Sequence, residues 1–260
     1  MAHDVIISFR GITKAFGHNA IYDGLDLDIH RGETITVIGG SGTGKSVMLK
    51  MLIGLMRPDA GQIWFDGTEL TALGEEGLIP VRRRIGMLFQ GAALFDSLTV
   101  AENIAYPLRE HLNMSPAERA DRVREVLALV GLPGIEEMKP AELSGGMKKR
   151  VGLARAIAVR PEVIMYDEPT TGLDPINTNR INEMIVRTRE ALGVTSIVVT
   201  HDMHSAFQVS DRIAMLWARR IAAVGTVDEI SRSEDPMVRS FIEGRSPAGT
   251  NYSVPPPPRR

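Results

Sequence analysis

Cysteine does not occur in the 260 residues. Its absence excludes disulfides and cysteine metal sites, and it fits a reducing compartment. A surplus of charge is missing as well: 30 Lys+Arg stand against 32 Asp+Glu, a formal net charge of -2. That balance offers no basic footprint, so no nucleic-acid partner is expected. Long hydrophobic runs are also lacking. The uncharged apolar stretches, Thr34 to Gly44 and Ala191 to Thr200, fall short of the about 20 residues that cross a bilayer. The opening MAHDVIISFRG carries Asp4 and only a short apolar run, so no secretory leader is expected. If the protein works at a membrane, it does so from outside the lipid. What is present is 43% hydrophobic residues, enough for one α/β domain or two small ones to bury a proper core.

The hydrophobic pattern changes along the chain. VIISFRGITKAFG and AIYDGLDLDIHRGE alternate at period two, as half-buried strands do. ETITVIG then reads as a strand, followed by a glycine loop and the helical segment KSVMLKMLIGLM, unbroken until Gly54. RPEVIMYDEP and VTSIVVTHD are short buried strands that end in polar residues. Apolar strands alternating with helices predict an α/β fold with a largely parallel sheet. In the middle, SPAERADRVREVLALVGL predicts a helix with Ser115 as N-cap, Pro116 in the first turn and Glu118 closing a capping box. Val123, Val126, Leu127 and Val130 fall on its apolar face. A helical insertion is therefore expected from about residue 92. The end, RSPAGTNYSVPPPPRR, reads as a flexible tail with polyproline character over residues 246–260.

The strongest chemical signal is GGSGTGKS, comprising Gly39, Gly40, Ser41, Gly42, Thr43, Gly44, Lys45 and Ser46, with Val47 next. Glycines let the backbone wrap around phosphate oxygens, and the following helix aims its positive end at the same charge. Lys45 is expected to reach the β- and γ-phosphates, and Ser46 to ligate Mg²⁺. A plain glycine turn between strand and helix would leave the complete consensus in its proper setting unexplained. Asp167 and Glu168 come at the end of the buried strand VIMYD, and in a parallel sheet that end is where ligands collect. The first can hold the Mg²⁺ shell and the second can take a proton from water. By themselves, acids at a strand end are ordinary turn residues; the phosphate loop changes that reading. His201 after VTSIVVT, Gln90 in MLFQG and Phe16 have equally ordinary structural explanations when each is taken singly. ELSGGMKKR places Ser144, Gly145 and Gly146 before KKRVGLARAIAV, a second anion-binding loop at a helix start.

Taken in order, the phosphate loop, Gln90, LSGG, the acid pair and His201 resemble the nucleotide-binding subunits of ABC (ATP-binding cassette) transporters over roughly residues 5–243. The resemblance implies a P-loop NTPase fold with a mostly parallel core sheet, an N-terminal antiparallel β subdomain and an inserted helical subdomain over about 92–155. The cassette would span residues 1–245. It further implies ATP and Mg²⁺ as ligands, ATP hydrolysis, and a head-to-tail pair in which Ser144, Gly145 and Gly146 of one copy close over the γ-phosphate held by the other. Phe16 would stack on adenine. Gln90 would sense metal and water and link to the permease. Asp167 would support Mg²⁺, Glu168 would be the catalytic base, and His201 would touch the γ-phosphate. TGLD, Thr171 to Asp174, matches the loop through which the paired sites communicate. Met147 stands where many members carry glutamine, and Tyr166 replaces the usual apolar residue before the acids.

LSGGMKKR together with FQGAALFDSLTVAENIAYPLRE is similar to the ATPases of Mla-type lipid transport systems. That similarity implies a transmembrane permease, an MCE-domain lipid-binding protein and a small STAS-domain protein as partners. The place of action would be the cytoplasmic face of the inner membrane of a Gram-negative bacterium, held peripherally. Phe95, Leu98, Thr99, Val100 and Asn103 would meet the permease. Two other readings stay open: an importer ATPase for a small polar solute such as an amino acid, and a soluble ABC ATPase that handles nucleic acid or ribosomes. The single cassette and near-neutral charge speak against the latter.

Overall fold

The computed structural model describes residues 4–245, so the expected tail at 246–260 lies outside the described residues. In chain order, β1 (Val5–Phe16) and β2 (Asn19–His30) come first, then β3 (Thr34–Ile38) and α1 (Lys45–Leu52). Next are β4 (Ala60–Phe65), β5 (Thr68–Glu69), α2 (Glu75–Arg83) and β6 (Ile85–Leu88). Three helices follow, α3 (Val100–His111), α4 (Pro116–Leu129) and α5 (Gly145–Ile157), before β7 (Val163–Asp167). The chain continues with α6 (Pro175–Leu192), β8 (Thr195–Thr200), α7 (Met203–Val209) and β9 (Arg212–Trp217). It closes with β10 (Arg220–Thr226), α8 (Val227–Ser231) and α9 (Pro236–Ile242).

Two sheets result. One is antiparallel, in the order β2-β1-β4-β5; the other has six strands, in the order β10-β9-β3-β8-β7-β6. The second is parallel apart from β10. β3, β7 and β8 are buried along their whole length because helices or the other sheet cover both faces. β2 keeps the expected alternation from Leu25 on, burying Leu25, Leu27 and Ile29, while Tyr22 is buried out of phase before them. β1 departs from it: Ile6 to Phe9 are buried without a break. Ser8 tolerates this because its hydroxyl donates to Asp28 Oδ1 at 2.6 Å, so no polar group is left unpaired.

Three apolar clusters hold the layers. The first joins the antiparallel sheet and α1 to one face of β3, β7 and β8 through Phe9, Leu25, Met48, Val37 and Met165. The second joins the opposite face to α3–α6 through Ile104, Leu127, Ile157, Tyr166 and Ile185. A smaller third cluster lies under the C-terminal helices. The capping box at Ser115 forms as expected, and Val123, Val126, Leu127 and Val130 are buried. At the edge of the six-stranded sheet where β6 and β7 begin, an ion-pair cluster clamps the two sheets together. Arg84 reaches Asp66 and, at 2.5 Å, Glu162; Arg31 reaches Asp66 at 2.6 Å and Asp4 at 2.9 Å.

Candidate active site

Topology assembles the site. With β8 between β3 and β7, and β6 beyond β7, the C-terminal ends of four parallel strands stand in a row. Register fixes the row: Ile38 pairs with Thr200, and Asp167 with Val199. The glycine loop after β3, His201 after β8, Glu168 after β7 and Gln90 after β6 therefore emerge side by side. They line a cavity of about 330 Å³ with Ser41, Gly42, Gly44, Lys45, Ser46, Val47, Thr171 and Ile21.

The loop is held by its own side chains. Lys45 is 6% exposed and donates to Gly39 O at 2.8 Å and Gly40 O at 3.0 Å. Thr43 Oγ1 donates to Gly40 O at 2.9 Å. Gly44 has φ 106°, and a Cβ there would stand 2.4 Å from Ile21, so only glycine fits. Its carbonyl accepts from the Tyr22 hydroxyl at 2.5 Å, which ties the loop to the antiparallel sheet. α1 begins at Lys45, and its first amides have no helical partners by position. A lysine ammonium, free amides and a helix start together make a cradle for phosphate oxygens. Burial pulls the Lys45 ammonium below the usual lysine range, against the opposing pull of Glu168 and Asp167.

Ser46 donates to Asp167 Oδ1 at 2.7 Å, which places a hydroxyl and a carboxylate together beside the cradle. Glu168 is the most constrained acid in the site. Its backbone takes the left-handed φ of 48°. Its carboxylate accepts from Thr171 Oγ1 at 3.0 Å and Thr200 Oγ1 at 3.3 Å, meets His201 Nδ1 at 3.0 Å, and lies 3.9 Å from Lys45 Nζ. Such an acid can accept a proton from a water in the cavity. Gln90 is exposed at the cavity edge. Phe16 is 48% exposed at the end of β1, with Lys14 Nζ 5.6 Å from its ring centroid; it stands outside the cavity wall.

Ser144, Gly145 and Gly146 are not in this cavity. Ser144 is exposed and caps α5, accepting from Met147 N at 3.3 Å. The helix starts at Gly145 rather than after the glycines, because the serine cap lets both join the first turn. Gly146 is packed there: a Cβ would meet Asn177 Oδ1 at 3.0 Å. Asp174 of the TGLD stretch caps α6 through the amides of Ile176 and Asn177, both at 3.0 Å.

Two expectations are corrected. Val100 and Asn103 are fully buried and cannot form a docking surface. The Asn103 amide group instead organises the preceding loop, accepting from Phe95 N at 2.8 Å and donating to the carbonyls of Phe95, Leu98 and Thr99. Phe95 itself is 44% exposed and borders a separate groove of about 380 Å³ with Met87, Phe89, Tyr106 and Arg155. Sequence reasoning missed the hydroxyls of Tyr22 and Thr200 and the buried Lys149, whose partners are all supplied by tertiary folding. Only the place of Thr200, immediately before His201 at a strand end, carried a signal.

Comparison with known proteins fits this geometry. Residues 22–171 match the family described as ABC transporter. The Haemophilus influenzae intermembrane phospholipid transport system ATP-binding protein MlaF is 39% identical over 250 residues, covering 96% of this chain and 95% of that one. The Mycobacterium leprae probable ribonucleotide transport ATP-binding protein mkl is 42% identical over 245 residues, or 94% of this chain and 71% of its own. Among solved structures, the dimeric ATP-binding cassette MJ0796 with ADP and Pi superposes with a TM-score of 0.78 at 32% identity, covering 85% of this chain and 99% of that one. CbiO1 from Clostridium perfringens gives 0.82 at 27% identity, covering 91% and 94%. A phosphate cradle, an acid pair and a capped glycine helix on this sheet order, matched nearly end to end by such relatives, leave one conclusion: the chain belongs to the ABC transporter family, among its ATP-hydrolysing subunits.

Proposed function

We propose that the chain is the ATP-hydrolysing motor of a phospholipid transport system, working as a head-to-tail pair beneath a transmembrane permease. The observation that carries the motor reading is the placement of the two glycine segments. One forms a cradle in the cavity with Glu168, while Ser144 is exposed outside it, at the start of α5. A second copy can therefore offer its Ser144, Gly145 and Gly146 to the nucleotide that the first copy grips. The phospholipid assignment is supported by the MlaF match, which runs over about the full length of both chains. In this reading cargo selection falls to the permease and to an MCE-domain protein, with a small STAS-domain protein as a further partner. Among the described residues no helix is long and apolar enough to cross a membrane. From the likeness to MlaF, the proposed place is the cytoplasmic face of the inner membrane, with the groove beside Phe95 and Tyr106 receiving a permease segment.

In this reading, Phe16 stacks on adenine, and Gly39 to Val47 hold the phosphates. Ser46 and Asp167 suit a hard cation because their oxygens already stand 2.7 Å apart, and Gln90 can add a third oxygen. Among the described residues no group of three or more acids and histidines is arranged to hold a metal ion. When bound, Mg²⁺ supplies neutralisation of charge on the transferred phosphoryl group. Glu168 accepts the proton of the attacking water as its oxygen bonds to the γ-phosphorus and the bond to the ADP oxygen breaks. His201 steadies the γ-phosphate. The hydroxyls of Thr171 and Thr200 hold the carboxylate while leaving it acceptor capacity for the water, and nucleotide-driven closure is linked to hydrolysis as a population shift.

The test is transport by the complex purified from membranes through this chain and placed in donor vesicles. ATP is expected to drive transfer of a labelled phospholipid to acceptor vesicles. Glu168→Gln should stop it, lowering turnover at least about a hundredfold while trapping ATP in a dimer. Movement of a labelled ribonucleotide with no lipid transfer would sink the phospholipid assignment.

A further inference from the structure

We infer that Lys149 is a positioning residue of the hydrolytic site, holding the backbone of Glu168 from beneath through α5. The inference rests on the reading of Glu168 as the base. Lys149 lies on the second turn of α5 and is 6% exposed. Its ammonium donates to Thr171 O at 2.8 Å and to Glu168 O at 3.3 Å. These two carbonyls bracket the turn that carries the acid, which is closed by Thr171 N donating to Glu168 O at 3.3 Å. Within that turn Glu168 holds φ 48°, a conformation that a residue with a side chain leaves unless its surroundings fix it. Thr171 Oγ1 then carries the constraint onward to the carboxylate. One buried cation thus holds both ends of the four-residue turn that begins with the base.

A space-filling role does not explain the residue. Lys149 makes no ion pair among the described residues, and burying an ammonium against carbonyls alone is unfavourable compared with an apolar side chain of the same length. Burial accordingly pulls Lys149 below the usual lysine range, and the field of Glu168 opposes the pull. The position also has reach. Ser144 starts the same helix, about 7.5 Å along its axis from Lys149 at 1.5 Å per residue. A push on Ser144 therefore arrives, through one rigid turn and a half, at the carbonyl of the same chain's own base.

The experiment compares wild type, Lys149→Met and Lys149→Gln in the full chain with its complex, reading kcat, KM for ATP and thermal melting. Lys149→Met should lower kcat about ten- to a hundredfold, within what a misaligned general base forfeits, with KM within about twofold because the phosphate loop is untouched. Lys149→Gln keeps a donor and should recover part of the loss. Unchanged kcat in Lys149→Met overturns the inference. So does a fall in kcat matched by an equal loss of ATP affinity and a lower melting temperature. Where the Met variant does not fold, Lys149→Gln decides, and a wild-type rate there counts against the role. Glu168→Gln separates the two readings: near wild-type turnover in that variant defeats the base assignment, whatever Lys149 does.

Discussion

Tyr166 brings a hydroxyl into the middle of the second apolar cluster, fully buried one residue before Asp167. It lies near Ser196, yet neither hydroxyl makes a hydrogen bond of good geometry. Burial pushes the phenol well above its usual range, so it stays protonated and its proton goes unused. A buried hydroxyl without a partner costs about 1–3 kcal/mol, and phenylalanine keeps the ring packing. Tyr166→Phe should therefore match or exceed wild-type stability by up to about 1 kcal/mol in urea unfolding, with ATPase activity retained. A loss of more than about 1 kcal/mol would show the hydroxyl to be paired in solution. At this scale the sequence was informative where a residue acts through local spacing. Gly39 to Ser46 needs only the chain order strand, loop, helix to become a cradle, and the structure has that order. Lys149 and Thr200 act on atoms 19 and 32 positions away, and no local pattern announces a partner that packing supplies.

Among the elements, α5 has the most to hold. Arg122 of α4, also buried, donates to Ile157 O and Ala158 O at 2.8 and 2.9 Å and so caps the far end of α5. From α5 itself, Arg155 donates to Ala92 O at 2.9 Å and Ala93 O at 2.8 Å. Those two alanines sit at φ 60° and 49°, consecutive left-handed residues just after Gln90. The guanidinium fork therefore keeps in place a loop that its own residues disfavour. Arg155→Met should cost about 1–3 kcal/mol of stability and speed amide exchange over residues 90–98, while exchange in α1 stays slow. Equal speeding throughout the molecule would mean global loosening instead. The amphipathic helices and buried strands were legible from periodicity alone. The loop at 91–99 was not: the resemblance put Val100 and Asn103 at a docking surface, and they turn inward once Asn103 closes on Phe95 and Leu98.

At the scale of the whole molecule, the two sheets are joined by apolar contact and by the clamp of Arg31 and Arg84 on Asp4, Asp66 and Glu162. Arg84, with Arg31 behind it, holds the Asp66 carboxyl below its usual range, and Arg84 does the same for Glu162. A depressed carboxylate contributes stability that is complete above its unfolded value, near 4, and is lost as pH falls through its folded value. The clamp should therefore help at neutral pH and fade in acid. The Asp66→Asn, Glu162→Gln double variant should melt below wild type at pH 7, with the gap narrowing steadily below about pH 4. A gap that widens in acid would reverse the sign and refute the linkage. Fold class was legible because strand and helix periods alternate plainly. The inter-sheet clamp was not, since its members are scattered from Asp4 to Glu162 and meet only after both sheets form.

That clamp also decides which margin of the molecule is fastened by charge. It sits at the beginnings of β6 and β7, whereas the nucleotide cradle opens at their ends. Riveted along the margin remote from the ligand, the paired sheets form one stiff slab. On the side that faces the ligand, the segment after β6 that carries Gln90 is held instead by Arg155 and Asn103, so both margins of the slab are fastened by side chains from elsewhere in the chain.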